Sequence, residues 1–168
     1  MSSAPIPRPT PGFRFVASIL IAFVRLLGWR IDVRGVDRVP SDRGAILVYN
    51  HHSYLDFVMV AWVIYREFDR SLRFLGKREL FDSPWTGWGV RLAGAVPVDR
   101  EHGSKRHTAL DAAVDAARNG DLVIVAPEQT ISRSFELLPF KTGAVRMAQA
   151  AGVPVVPVVG WGTQRFAT

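Results

Sequence analysis

The stretch Ala45-Ile46-Leu47-Val48-Tyr49-Asn50-His51-His52-Ser53-Tyr54-Leu55-Asp56 passes from an unbroken apolar run, through a polar cluster, to the start of helical spacing. An apolar run without polar alternation is what a strand covered on both faces requires, because side chains pointing either way meet a packed layer. From residue 55 to residue 68 apolar residues return at helical spacing, so the polar cluster lies where a strand hands over to a helix. Working outward, strand-like runs occur at 31–39, 72–76, 95–98, 122–126 and 153–159, and helical stretches at 84–92, 104–118 and 142–150. In 104–118, Leu110, Ala113, Val114 and Ala117 fall at i, i+3, i+4 and i+7, and Asn119-Gly120 supplies a stop. Pro154 and Pro157 predict an edge position for the last strand, or one beside irregular structure. Buried strands alternating with helices predict an α/β fold with a central mostly parallel or mixed sheet flanked by helices. In such sheets ligands sit beyond the carboxyl ends of the strands.

The length of 168 residues, 48% hydrophobic, suffices for one domain with a core and is too little for two. The absence of cysteine excludes disulfides and thiolate zinc sites, and four histidines, two of them adjacent, offer no metal-ligand spacing. Lysine and arginine outnumber acids 21 to 15, a net charge of +6 that favours an anionic partner: nucleic acid, a phospholipid surface or a phosphorylated small molecule. The excess of arginine over lysine fits planar phosphate recognition, and equally the coding composition of a genome. Aromatic residues cluster in apolar runs without basic interleaving, which argues against a nucleic-acid platform. No G-x-x-x-x-G-K-[ST] and no G-x-G-x-x-G after a strand is present, which argues against a phosphate-cradling NTPase.

Prolines at 5, 7, 9 and 11 predict a flexible or extended leader over residues 1–12. Residues 13–29 read as an amphipathic helix whose uncharged run, 15–24, would extend only about 15 Å, half of a bilayer's hydrocarbon core. Arg14, Ser18 and Arg25 fall within about 40° of one another, leaving Phe13, Val16, Leu20, Phe23 and Leu27 with Phe15, Ile19 and Leu26 on the remaining arc. That pattern suits a helix lying in a membrane interface; a helix packed on the domain's own core and an uncleaved signal peptide are the alternatives. The expected organisation is a leader at 1–12, a membrane-associating helix at 13–29 and a domain at 30–168.

Within the polar cluster, a carboxylate at Asp56 that accepts the Nδ1 proton of His51 would fix the tautomer with Nε2 free, making His51 a candidate general base. An imidazole so held takes the proton of an alcohol as it attacks a carbonyl, and needs no serine or cysteine nucleophile. The plainer alternative is a cap on the helix start. Two other strand ends carry polar groups: Gly94-Ala95-Val96-Pro97-Val98-Asp99-Arg100 and Ala126-Pro127-Glu128-Gln129-Thr130.

These segments and the apolar run Val153-Pro154-Val155-Val156-Pro157-Val158, in this order and separation, resemble the glycerolipid acyltransferase family, specifically its lysophosphatidic acid (1-acylglycerol-3-phosphate) acyltransferases, over residues 30–160. The family's first block, N-H-x-S-x-x-D, matches Asn50, His51, Ser53 and Asp56; the resemblance implies that His51 is the catalytic base and Asp56 its partner, with His52 in the variable slot. The second block closes on an arginine that binds the acceptor's phosphate, matched by Arg100. Lys77, in Lys77-Arg78-Glu79-Leu80 and followed by Pro84 and Gly87, is a second phosphate candidate. The third block usually reads P-E-G-T-R-S. Here Pro127, Glu128 and Thr130 agree, Gln129 replaces the glycine, and Ile131 stands where arginine is usual. Arg133 supplies the missing cation by a different loop path, or the site uses one guanidinium fewer. With no glycine to take φ > 0 at little cost, the turn after Glu128 is predicted to differ from the family's form. Lys141, just before a helix, is a further phosphate candidate.

The resemblance implies an acyltransferase that binds no cofactor. It takes a fatty acyl group from acyl-CoA or acyl carrier protein to the free hydroxyl of a lysophospholipid, lysophosphatidic acid becoming phosphatidic acid. It further implies a peripheral enzyme on anionic phospholipid, at the cytoplasmic face of the inner membrane. Family members commonly continue past the equivalent of Thr168, so a domain shortened at its C-terminus is one expectation. A noncatalytic anionic-lipid-binding module, or an acyltransferase for another lysolipid, is the alternative; nucleic acid is not an expected partner.

Overall fold

The chain's computed structural model describes residues 6–53, 55–70, 72–85, 87–98, 104–133 and 136–165. Five apolar runs form its sheet: β1 (Ala45–Tyr49), β2 (Leu72–Lys77), β3 (Ala95–Val98), β4 (Leu122–Val125) and β5 (Val155–Val158). They lie in the order β3-β2-β4-β1-β5, and every pairing is parallel. The mostly parallel or mixed sheet expected from the sequence is therefore wholly parallel among the described residues. Leu47 lies opposite Ile124 on one side and Val156 on the other.

The missing polar alternation has its cause in two covering layers. On one face Ala45, Leu47 and Tyr49 pack with Val60 and Ile64 of α2 (Asp56–Phe68). On the other, Ile46 and Val123 pack with Ala113, Val114 and Ala117 of α5 (Ser104–Arg118) and Ala144, Met147 and Ala148 of α6 (Gly143–Ala151). Successive residues point to opposite faces, so each must be apolar. The proline-bearing β5 takes an edge, as its sequence predicts, and β3, with Pro97, takes the other.

Helix α1 (Pro11–Leu26) starts earlier than the expected 13–29 helix and ends sooner. The Thr10 side chain accepts the Phe13 amide at 3.2 Å, and Pro11 occupies the first turn, where a missing N–H costs nothing. Residues 6–10 carry no regular secondary structure, Thr10 is extended and Pro9 is buried, so this part of the leader lies against the domain. Two further expectations are corrected. Residues 31–39 form no strand: Gly35, at φ 72°, turns the chain into a short 3-10 segment, Val36–Arg38, and the residues around it stay half-exposed, beside no ladder partner. The helix expected at 84–92 is instead α3 (Arg78–Asp82) and α4 (Gly87–Leu92), with a turn around Pro84 between them.

Below the sheet, at the amino ends of the strands, the buried Arg70 guanidinium donates to the carbonyls of Pro40 (2.6 Å), Arg43 (3.0 Å) and Gly120. It gathers the loops that lead into β1 and β4. At the same end Gly44 packs flat on α5: a Cβ there would lie 1.9 Å from the Ala117 carbonyl oxygen. Gly44→Ala should therefore cost about 3 kcal/mol in urea unfolding. Gly143→Ala, at a helical position with nothing within 4 Å of the added methyl, should instead stabilise by about 0.5 kcal/mol.

Candidate active site

β1 ends at Tyr49, and the loop that follows is folded around one carboxylate. Asp56 Oδ2 accepts the backbone amides of His52 (2.7 Å) and Ser53 (2.8 Å), and the same oxygen meets His51 Nδ1 at 3.2 Å. Asp56 Oδ1 accepts the hydroxyl of Thr163, in the segment after β5. Asp56 stands in the first turn of α2, where the helix dipole favours a negative charge. Of the alternatives at the level of sequence, the carboxylate takes the orienting one: α2 starts without a side-chain cap, and Asp56 bonds amides of the loop before it. The Asp56 side chain is 2% exposed and the His51 side chain 18%, so the carboxylate is sealed in and the ring keeps an open edge. With Nδ1 donating to Asp56, Nε2 carries the free lone pair. Burial pushes the Asp56 carboxyl up, but the hydrogen bonds from His51, Thr163, Ser53 and His52 outweigh it and hold the carboxyl below its usual range. Tyr49 packs edge-on against the His51 ring, centroids 5.3 Å apart. Burial first, then the charges of Asp56 and Glu128, push its phenol far up, so it stays neutral.

A second buried carboxylate joins the loop after β4 to the same place. Glu128 Oε1 accepts the His51 amide at 3.1 Å, and Oε2 accepts the Leu138 amide at 3.1 Å. The Ser132 amide donates to the His51 carbonyl at 2.7 Å, and the Lys141 amide to the Pro127 carbonyl at 3.0 Å. A third join runs to β5: Asn50 Nδ2 donates to the Gly160 carbonyl at 2.9 Å and the Gly160 amide returns to Asn50 Oδ1 at 2.8 Å. Ser53 is fully buried, and its Oγ accepts the Leu55 amide at 3.1 Å.

Asn50, His51, Ser53, Asp56 and Glu128 are therefore brought together. Thr130, Arg133 and Lys141 have exposed side chains around this cluster's outer loop. Lys77 closes β2, but its side chain lies outside what is described, and Arg100 lies outside the described residues. The turn after Glu128 corrects an expectation: Gln129 has φ 60°, so the backbone takes the left-handed conformation that glycine favours, although the residue there carries a side chain. The demands of Glu128 and Ser132 on either side, both tied to the His51 backbone, outweigh the local cost. Thr163, Gly160 and Tyr49 were not singled out from the sequence. The signal available for the first two was position, since they follow a strand's carboxyl end as the other site residues do.

An apolar groove of about 390 Å³ is bordered by Phe13 and Ala17 of α1, Phe57 and Trp62 of α2, Phe74 of β2 and Trp88 of α4. Phe57, the residue after Asp56 in α2, has its ring centroid 4.7 Å from that of Phe74. α1 turns Phe13, Ala17 and Val24 inward and leaves Phe15, Ile19, Phe23 and Leu26 exposed; Phe15 and Ile19 share the groove's lining with Trp88, and Trp85 is exposed as well. No helix among the described residues is long and apolar enough to cross a membrane.

Comparison with known proteins gives a consistent picture. Against a chloroplastic 1-acyl-sn-glycerol-3-phosphate acyltransferase of Brassica napus the chain is 31% identical over 153 residues, which are 90% of this chain and 43% of that protein. Against a 1-acyl-sn-glycerol-3-phosphate acyltransferase of Salmonella typhimurium it is 34% identical over 134 residues, 79% of this chain and 53% of the other. The chain spans about half the length of these curated relatives. The crystal structure of the 1-acyl-sn-glycerophosphate (LPA) acyltransferase PlsC from Thermotoga maritima superposes with a TM-score of 0.72 at 30% identity, covering 90% of this chain and 58% of that one. Residues 30–161, which hold all five strands and the His51–Asp56 pair, match the family model described as Acyltransferase, and the chain belongs to that family.

Proposed function

We propose that this protein transfers a fatty acyl group from an acyl-CoA or acyl carrier protein thioester to the free hydroxyl of 1-acylglycerol 3-phosphate, giving phosphatidic acid and the free thiol. The observation that carries the reading is the 3.2 Å contact of His51 Nδ1 with a buried carboxylate, on an imidazole whose side chain stays 18% exposed. His51 Nε2 takes the acceptor's hydroxyl proton as its oxygen attacks the thioester carbon. Asp56 stabilises the imidazolium that forms, and the tetrahedral intermediate collapses with expulsion of the thiolate, which recovers the proton from His51. Holding the two reactants within about 3 to 3.5 Å contributes several powers of ten on its own. Glu128 acts by fixing the His51 backbone.

The acceptor's phosphate is bound by Arg100 and Lys77, with Thr130, Arg133 and Lys141 as further polar contacts. β2, which Lys77 closes, and β3, which Arg100 follows by two residues in sequence, are two and three strands from β1. At about 4.8 Å per strand these strands lie about 10 and 14 Å from β1. A guanidinium meets two phosphate oxygens in one plane and so fixes the acceptor's orientation. The apolar groove that Phe57 borders takes an acyl chain. The exposed face of α1, with Trp85 and Trp88, rests in the headgroup region of an anionic membrane, at the cytoplasmic face where thioester donors are made.

His51→Ala should reduce acyl transfer from acyl-CoA to 1-acylglycerol 3-phosphate by about 10² to 10⁴-fold, with the circular dichroism spectrum unchanged. Retained turnover would exclude the mechanism, and salt-sensitive vesicle binding without turnover in the unaltered chain would favour a noncatalytic lipid-binding module. Asp56→Asn should lower turnover by a comparable factor and also alter the pH dependence of stability. A carboxyl held below its usual range in the folded chain contributes stability that is complete above that range and is lost as pH falls through the lower folded value. The stability gap between the Asn variant and the parent, read by urea unfolding, should therefore be widest near pH 7 and narrow in strongly acidic buffer. Ile19→Glu combined with Phe23→Glu should weaken cosedimentation with phosphatidylglycerol vesicles at least tenfold while leaving the fold intact, since both side chains face solvent.

A further inference from the structure

Thr163 lies two residues beyond the segment that matches the family model, in a short 3-10 turn, Thr163–Arg165, after β5. Its hydroxyl donates to Asp56 Oδ1, the oxygen that the loop after β1 leaves unused. The division between the two oxygens is informative. Oδ2 serves the His52 and Ser53 amides and His51 Nδ1, three groups from one short loop. These converge on a single atom, and rotation about a carboxylate's terminal torsion is soft, so they leave the plane of the group weakly defined. A donor at Oδ1, from another part of the chain, defines it.

The segment that carries Thr163 is itself anchored. Gly160 is held to Asn50 by the reciprocal pair at 2.9 and 2.8 Å, and a Cβ built on Gly160 would stand 4.0 Å from Asp56 Oδ1. The chain after β5 therefore passes beside the carboxylate before Thr163 turns back onto it. Threonine has the chemistry for this position, because a hydroxyl donating to an ionised carboxylate forms a strong charge-assisted bond and adds no charge of its own.

We propose that Thr163 is a positioning residue for the His51–Asp56 pair: its hydroxyl holds the second carboxylate oxygen, and so sets the plane in which Asp56 meets the imidazole and the share of its negative charge that reaches the ring. The catalytic consequence rests on the acyl-transfer reading above; the effect on the ring does not. Removing the hydroxyl returns charge to Oδ2, favours imidazolium over imidazole at His51, and leaves less neutral base at a given pH. Among the described residues the titratable groups around the ring are Asp56 and His52 in its own loop and α2, Tyr49 at the end of β1, and Glu128 after β4. All of them remain in the variants below.

The test uses the full chain with Thr163→Val, which removes the hydroxyl at nearly constant volume, and Thr163→Ser, which restores it. Two readouts are taken: the titration of the His51 Cε1–H resonance by NMR, and pH profiles of kcat and kcat/KM for acyl transfer from acyl-CoA to 1-acylglycerol 3-phosphate. With valine, the His51 midpoint and the acid limb of kcat/KM should both move to higher pH by about half to one unit, and kcat should fall about tenfold with KM changed less than twofold. Serine should return each to within twofold, or a few tenths of a pH unit, of the parent. A merely structural residue would lower the active fraction at every pH without moving either midpoint. Valine that titrates and turns over like the parent, or serine that behaves like valine, overturns the proposal. Thr163→Ala replaces valine as the hydroxyl-free variant if valine fails to fold by circular dichroism. If His51→Ala abolishes transfer while valine moves nothing, the proposal alone fails. If the His51 midpoint moves in valine but His51→Ala still turns over, the acyl-transfer reading fails and the positioning role stands.

Discussion

A carboxylate that is 2% exposed has to be satisfied entirely by protein donors, and the need to satisfy Asp56 organises the carboxyl end of the sheet. Its hydrogen bonds come from the backbone at His52 and Ser53, from the His51 ring and from the Thr163 hydroxyl, so strand β1, helix α2 and the segment after β5 must all arrive together. If one of them is misplaced, a buried charge loses a partner. The same bonds that satisfy the charge orient the imidazole, so the stability of the loop and the orientation of the His51 ring are one requirement.

Glu128 repeats the device on the neighbouring strand. It too is buried, and it too spends its oxygens on backbone amides, those of His51 and Leu138. Parallel topology makes this possible. β1 lies between β4 and β5, so the segments leaving both neighbours emerge on the same side as the segment leaving β1. One reaches it through Glu128 and Ser132, the other through Gly160 and Thr163. An antiparallel neighbour would have sent its continuation to the opposite end. The positive φ at Gln129 is a local cost of this convergence, in keeping with strain being found where surrounding contacts over-determine a backbone.

Helix α1 packs one side of its apolar arc on the domain and leaves the other side exposed. Its sequence left open whether the apolar arc faces a membrane or the domain's own core. Phe13, Ala17 and Val24 are buried against the domain, while Phe15, Ile19, Phe23 and Leu26 remain outside. A helix apolar on most of its circumference cannot be covered by one layer, because packing one side leaves the other uncovered. The Phe13 ring meets Tyr65 of α2 edge-on at 5.9 Å, which ties α1 to α2 at one border of the apolar groove.

Much was legible from the residues alone. Apolar runs located all five strands, unbroken in β1 and β4, which are buried on both faces and leave no room for polar alternation, and the prolines marked β5 as an edge. The spacing of His51 and Asp56 located the pair because both lie within one strand-loop-helix unit, whose geometry is local. The failures were also local: the alternation at 31–39 looked like a strand until Gly35 turned the chain and no neighbour was there to pair with it, and Gln129 was denied a φ that its surroundings impose. Strand order, the role of Glu128 as a bracket on the His51 backbone, and the arrival of Thr163 at Asp56 belonged to tertiary structure alone. The two side-chain contacts join residues 77 and 107 positions apart and exist only after parallel crossovers are complete, and no pattern along the chain encodes which strands become neighbours.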